Sequence, residues 1–292
     1  MILEIQRKLY RTKLQQFMDR LEQMVLADHV IMEGRFARSK DPVPFQQRRD
    51  LEYQVIQEGD EWGQTWDSAW FHLSGKIPKD WTNDEVVAHL DFNGEALVFS
   101  PEGIPLQGLT NGSVFGRITR HNFRLAAPIL KNLQIELWVE AAANSIMGIH
   151  RPRDPERGKN TIEATGNQIA STAATLRPGD TIGRHGSYRG IVNRMRLARF
   201  KRDLYDFWLD MEVLNGLLDS VTDYSTRYAR ILEGLVKVTN IFKDAEANIG
   251  QCREMLQPLL QQSANASAPT INAVGHAHID TGWLWPVRET IR

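Results

Sequence analysis

The hydrophobic period of the chain changes twice. Between residues 3 and 27 the apolar positions Tyr10, Leu14, Phe17, Leu21 and Met24 recur at helical spacing, with Lys, Arg, Gln and Glu between them. This predicts an amphipathic helix docked as an arm on the body. Asp41-Pro42-Val43-Pro44 then breaks the chain. From about residue 51 the pattern becomes short apolar runs between turn residues, and 66–73, 86–92, 96–99 and 133–141 read as strands. In the last of these, Leu133, Ile135, Leu137 and Val139 alternate with polar partners, the pattern of a half-buried strand. Asn93-Gly94 separates two of the runs and signals a hairpin turn. Residues 151–190 are rich in Gly, Arg, Thr and Pro and read as long connections. From about 200 the helical period returns. Leu204, Phe207, Trp208, Met211, Leu214 and Leu218 form one stripe; Tyr228, Ile231, Leu232, Leu235, Val238, Ile241 and Phe242 form a second. Ile249, Met255, Leu256 and Leu259 suggest a third, and the small, polar stretch 261–269 reads as a linker.

These elements predict an α+β fold: a helical arm over 1–40, an antiparallel, jelly-roll-like β-sandwich over 41–200, a helical connector over 201–262, and a linker leading into a further domain over 263–292. Apolar content of 42% and charged content of 24% are those of an ordinary globular chain, and 292 residues suffice for two units. A formal net charge of -1 argues against nucleic-acid and membrane-surface partners. No apolar run approaches a membrane span, and no signal peptide opens the sequence, so the cytoplasm is the expected location. The single cysteine, Cys252, excludes an internal disulfide; on a helical stripe it reads as inert core.

Chemistry concentrates near the C-terminus, in Gly275-His276-Ala277-His278-Ile279-Asp280-Thr281-Gly282-Trp283-Leu284-Trp285-Pro286. In a strand, positions i, i+2 and i+4 share one face, so His276, His278 and Asp280 would point the same way at the strand's end. Imidazole nitrogen and carboxylate oxygen suit a divalent metal such as zinc. The bland alternative is a surface strand end with polar residues by chance; two His and one Asp on one face, followed by two tryptophans, outweigh it. Elsewhere the bland readings lead. Trp62, Trp66, Trp70 and Trp81 could form a sugar platform but read as sandwich core. His72, His89, His121, His150 and His185 lack ligand spacing and read as structural or surface residues. Asp84, Glu85, Asp91 and Glu95 read as solvated strand ends, and the basic run 194–202 as a strand edge guarded by charge.

The run 275–286 resembles the opening motif of the α-mannosidases of glycoside hydrolase family 38, in their cytosolic and vacuolar branch. More loosely, 66–73, 93–97 and 136–144 resemble the sandwich of that branch, and 204–242 its connecting helices. The resemblance implies that the motif closes the first strand of an α/β catalytic barrel. His278 and Asp280 would be zinc ligands, with cobalt accepting the same set, and Trp283 would stack on the sugar. His276 would lie near the site without being a ligand. The implied reaction is metal-dependent, retaining hydrolysis of terminal α-mannosides, which needs two carboxyl groups. The family's nucleophile and acid/base fall beyond the position matching Arg292, so no catalytic residue is expected in this chain, and the fragment alone is expected to be inactive. Two other readings stay open. In a metal-dependent amidohydrolase, His276 and His278 would both bind metal and Asp280 would be dispensable. In a noncatalytic carbohydrate-binding sandwich, the tryptophans would hold the sugar. A lone barrel strand has no neighbours, so residues 270–292 are expected to be disordered, or to pair with a sheet edge or another copy; its exposed apolar surface allows a homo-oligomer.

Overall fold

The computed structural model describes residues 4–64, 66–110, 119–126, 133–144, 189–264, 267–276, 278–282 and 287–291. The expected long connections at 151–190 fall almost wholly outside these residues. Twelve strands are described: β1 (Leu26–Ile31), β2 (Glu33–Ser39), β3 (Gln54–Ile56), β4 (Glu61–Gln64), β5 (Ser68–Lys76), β6 (Val86–Asp91), β7 (Glu95–Phe99), β8 (Pro105–Leu109), β9 (Asn122–Arg124), β10 (Gln134–Ala142), β11 (Arg189–Ile191) and β12 (Arg194–Phe200). Among the described residues they form a six-stranded sheet in the order β3-β2-β5-β10-β7-β8, a four-stranded sheet in the order β1-β12-β6-β9, and the pair β11-β4.

The alternation that predicts β10 also sets its register. β10 pairs antiparallel with β5 from Gln134↔Lys76 to Ala142↔Ser68. Ile135, Leu137, Val139 and Ala141 face inward with Ala69, Phe71 and Leu73 of β5, and meet Val86, Ala88 and Leu90 of β6 in one buried cluster. Trp62 adds its ring edge-on to Phe71 at 5.4 Å and donates its indole N–H to the carbonyl of Phe92 at 2.9 Å. The sandwich core is thus apolar side chains plus an indole whose polar atom is satisfied. Trp62, Trp66, Trp70 and Trp81 are all buried, and Trp62 and Trp81 belong to this core cluster.

The outer face of the six-stranded sheet is covered by the chain after β2. The run Asp41-Pro42-Val43-Pro44 leads into a 3-10 turn at Phe45–Asp50, which lays Phe45 edge-on against Trp70 at 5.6 Å. Trp70 donates its indole N–H to the carbonyl of Val43 at 2.7 Å. Arg48 is buried with its guanidinium 3.4 Å from the Phe45 ring centroid and 4.2 Å from that of Trp138. A cation between two aromatic faces, donating to the carbonyls of Phe45 and Pro101, offsets its desolvation. Tyr53 packs against Trp138 and donates to the carbonyl of Arg48; burial pushes its phenol pKa up to about 12.

Two expectations are corrected here. Asn93-Gly94 does not make a hairpin, because β6 and β7 lie in different sheets. The chain instead arches from one sheet to the other. Asn93 sits at a φ of 56°, its N–H donates to the Asp91 carboxylate at 2.8 Å, and its side-chain amide donates to the carbonyl of Arg189 at 2.8 Å. A Cβ on Gly94 would lie 1.9 Å from the carbonyl oxygen of Ala142, so only glycine fits. Side chains take the bonds that a ladder would have supplied. The basic run 194–202 is likewise no sheet edge: β12 lies between β1 and β6. Met195 and Leu197 face the core while Arg196 pairs with Glu58 at 2.6 Å. Burial alone would raise the Glu58 carboxyl pKa, but hydrogen bonds from Arg196 and the Met195 N–H, with the nearby guanidinium charges, hold it below the usual range.

Five helices are described: α1 (Glu4–Val25), α2 (Arg202–Ser220), α3 (Thr226–Phe242), α4 (Ile249–Leu260) and the short α5 (Val287–Ile291). The first four match the sequence stripes. Phe17 of α1 meets Phe207 of α2 and Phe242 of α3 edge-on, at 6.4 and 5.7 Å. Cys252 is buried in α4 and its thiol pKa is raised by that burial, consistent with inert core. Ser225 caps α3 by accepting from the Tyr228 N–H at 3.1 Å.

The chain forms two compact units. One unit is Met1–Asp28 with Arg199–Gly275; the other is His29–Ala198 with His276–Arg292. The N-terminal helix is docked, its apolar stripe meeting α2 and α3. Strands β1 and β2 occupy much of the stretch assigned to that arm, where the apolar pattern predicts no strand.

Candidate functional site

The motif segment begins without regular structure. Residues 271–276 and 278–280 carry no strand ladder, so the expected first barrel strand is not formed here. A strand's backbone donors and acceptors need neighbouring strands, and this segment has none among the described residues. Ile271, Val274 and Ile279 are left exposed, at 84, 85 and 55%. Beyond Asp280 the chain turns. Gly282 adopts a φ of 67°, a backbone conformation suited to glycine. The Thr290 hydroxyl of α5 joins the turn by accepting from the Gly282 N–H at 3.2 Å and donating to the Asp280 carbonyl at 3.0 Å.

Within that segment His278 and Asp280 come together. His278 Nε2 lies 3.1 Å from Asp280 Oδ1, and both side chains are solvent-facing, at 68 and 51% exposure. The His276 ring stands 6.0 Å from that of His278, roughly perpendicular to it. The alternation therefore brings the predicted imidazole and carboxylate together, although a turn-bounded loop rather than a strand carries them. The sugar platform expected at Trp283, with Trp285 beside it, lies outside the described residues.

A divalent ion fits this pair in kind, since a neutral imidazole nitrogen and a carboxylate oxygen are its usual donors. It does not fit in number. Among the described residues no group of three or more His, Cys, Asp or Glu is arranged to hold a metal. Catalytic zinc takes three protein ligands and an open position.

A second polar cluster, at the β6–β9 edge, reads in the sequence as unrelated structural and solvated residues. His89 Nδ1 lies 2.7 Å from the Asn122 side-chain oxygen, and the His89 ring is 6.1 Å from that of His121. His121 approaches Asp91 at 3.8 Å, and Asp91 also accepts from the side chain of Asn193 at 3.1 Å. Asp91 is thus a partly buried hub and not a solvated strand end. Burial drives the His89 pKa down to about 4; the Asn122 hydrogen bond opposes this, while His121 and Arg194 add to it. No periodicity signals this cluster, because its members come from separate strands and join only through the sheet. His72 is a half-exposed structural residue, stacked on Trp138 and paired with Glu136 at 2.9 Å. His150 and His185 lie outside the described residues.

Among the described residues no helix is long and apolar enough to cross a membrane. Residues 31–169 match the family model described as "Alpha-mannosidase, jelly roll domain". Alpha-mannosidase 2C1 of Mus musculus is 28% identical over 252 residues, 86% of this chain and 21% of the relative. The protein of that name from Homo sapiens is 28% identical over 251 residues, again 86% of this chain and 21% of the relative. Alpha-mannosidase G of Dictyostelium discoideum is 23% identical over 250 residues, covering 82% of this chain and 20% of the relative. The chain spans about a fifth of the length of these relatives. The resemblance to α-mannosidases first carried by residues 275–286 thus extends to the sandwich.

Proposed function

We propose that this sequence serves as the N-terminal region of a metal-dependent, retaining α-mannosidase that hydrolyses terminal α-mannosides in the cytoplasm. The observation that carries the reading is the alpha-mannosidase jelly roll match over residues 31–169. His278 and Asp280, 3.1 Å apart, support it from the other end of the chain. In this reading the pair contributes part of a cation site, and further ligands come from sequence beyond these residues. A cation held there by these and further ligands would supply Lewis-acid contact to sugar hydroxyls. His278 would supply a ring nitrogen and Asp280 a charge-compensating oxygen. Trp283 supplies an apolar face for the sugar ring. The general acid/base and nucleophilic carboxyl groups that retention requires lie outside this chain, so the chain alone binds metal weakly and does not turn over substrate.

The test uses the complete gene product alongside the 292-residue chain. The complete protein should hydrolyse an aryl α-mannoside and lose that activity on chelation, with recovery on zinc or cobalt. His278→Ala and Asp280→Ala should each lower metal affinity by at least about ten-fold, since losing even a group that only supports a ligand costs that much, read directly by competition with a chromogenic chelator. A complete protein fully active after metal stripping would overturn the metal role. Turnover by the short chain that disappears in His278→Ala would overturn its inactivity. Loss of metal with His276→Ala and retention with Asp280→Ala would favour an amidohydrolase-type site.

A further inference from the structure

The inter-sheet arch is built on Asn93-Gly94, and Asn-Gly is the peptide pair most prone to spontaneous deamidation. The Gly94 backbone nitrogen attacks Asn93 Cγ, a C–N bond forms, the Cγ–Nδ2 bond breaks, and the side-chain nitrogen leaves as ammonia. Water then opens the cyclic imide, giving either an aspartate or an isoaspartyl linkage that carries the backbone through the β-carboxyl. No oxidant or cofactor is involved.

Every group in that chemistry is held in the folded arch. Asn93 is 5% exposed, which keeps hydrolytic water away. Its Nδ2 donates to the carbonyl of Arg189 at 2.8 Å, and its Oδ1 accepts from Asn193 Nδ2 at 3.4 Å. Both side-chain atoms are therefore turned to β11 and the start of β12, which restrains the rotation that brings Cγ to the Gly94 nitrogen. Gly94 lies against the Ala142 carbonyl, where even a Cβ would come within 1.9 Å, so the backbone has no room to reposition. Once formed, the product would not fit. A carboxylate oxygen in place of Asn93 Nδ2 would face the Arg189 carbonyl, setting two acceptors against each other. The new charge would be buried near Asp91, whose carboxylate already accepts from the Asn93 N–H at 2.8 Å and from Asn193 at 3.1 Å. An isoaspartyl linkage would add a methylene to a backbone already in contact.

We propose that Asn93-Gly94 is a modification site kept silent by the closed arch and converted when the arch opens, so that a reversible opening of the sandwich becomes irreversible. The inference does not depend on the mannosidase reading. Time spent open accumulates as a permanent covalent mark at Asn93, and the chain marked there cannot rebuild the crossing between β6 and β7.

The experiment incubates the chain at neutral pH, folded or in urea, and follows amide-to-acid conversion at each Asn-Gly by peptide mass mapping. Asn111-Gly112 and Asn215-Gly216 are the other two Asn-Gly pairs of the chain. In urea all three pairs should convert at similar rates. In the folded chain Asn93 should convert at least about ten-fold more slowly than in urea, because conversion waits on local opening. Asn193→Ala, which removes one anchor, should speed conversion at Asn93 in the folded chain. Asn93→Asp, which installs the product directly, should lower the thermal midpoint by roughly 5 °C or more, or prevent folding. Equal folded and unfolded rates at Asn93 would overturn the proposal, as would an Asn93→Asp chain with an unchanged midpoint.

Discussion

Strand β10 and the stretch 271–280 both read as strands from a period of two, apolar residues in β10 and His276, His278 and Asp280 in the other, yet only β10 forms a strand. Ile135, Leu137 and Val139 are buried between two sheets, and their backbone is paired with β5 on one side and β7 on the other. Ile271, Val274 and Ile279 are exposed and unladdered. A period of two states which face a strand would bury; it does not supply the neighbours that make a strand stable. β-structure is non-local, so its existence depends on what lies elsewhere in the chain.

Substitutions can break or sharpen this contrast. The largest effect is expected from Phe71→Ala, in the centre of β5, which should destabilise the sandwich by about 3–5 kcal/mol in urea unfolding. Acid comes next. With its folded pKa lowered to about 4 by burial, His89 binds fewer protons when folded than when unfolded. Stability is therefore fully present above the unfolded value of about 6.5 and is lost as pH falls from there toward 4, by about 3 kcal/mol. Calorimetry between pH 7 and 4 should show this decline, and His89→Gln should flatten it; an equally steep decline in the variant would contradict the assignment. Val139→Ala should cost about 2 kcal/mol by lost burial and packing. Ser225→Ala, which removes the α3 cap, should cost about 1 kcal/mol, resolved by the helical signal in circular dichroism. Val274→Ala should stay within about 0.5 kcal/mol, as an exposed position outside any ladder does. A cost for Val274→Ala equal to that of Val139→Ala would show that 271–279 is buried in solution.

The helices were legible because a helix satisfies its own backbone, so the stripes of α1 to α4 could be read locally. Strands β5, β6, β7 and β10 were legible from their apolar runs. What stayed hidden was pairing. Asn93-Gly94 carries the chemistry of a hairpin turn, but Asp91, Asn144 and Arg189 supply bonds that convert it to a crossing, two of them from distant positions. β12 looked like an edge because of its arginines, and is interior because Glu58, more than a hundred residues away, neutralises one of them. In the candidate site the residue types and spacing were legible, and the approach of His278 to Asp280 follows from two-residue proximity. The loop geometry around them, set by Gly282 and Thr290, was not.

The helical unit is assembled from segments on both sides of the sandwich in sequence, and its seam is tied shut. The Lys201 N–H donates to the Val25 carbonyl at 2.9 Å and Arg199 pairs with Asp28 at 3.0 Å. The polypeptide thus departs and returns through neighbouring doorposts, which makes the whole sandwich an insertion in a bundle. During synthesis α1 would wait for its partners while the inserted strands are made, roughly ten to thirty seconds at ordinary ribosomal speed. Its apolar stripe is unprotected for that time, so the first helix is the place where a nascent chain of this protein would need a chaperone.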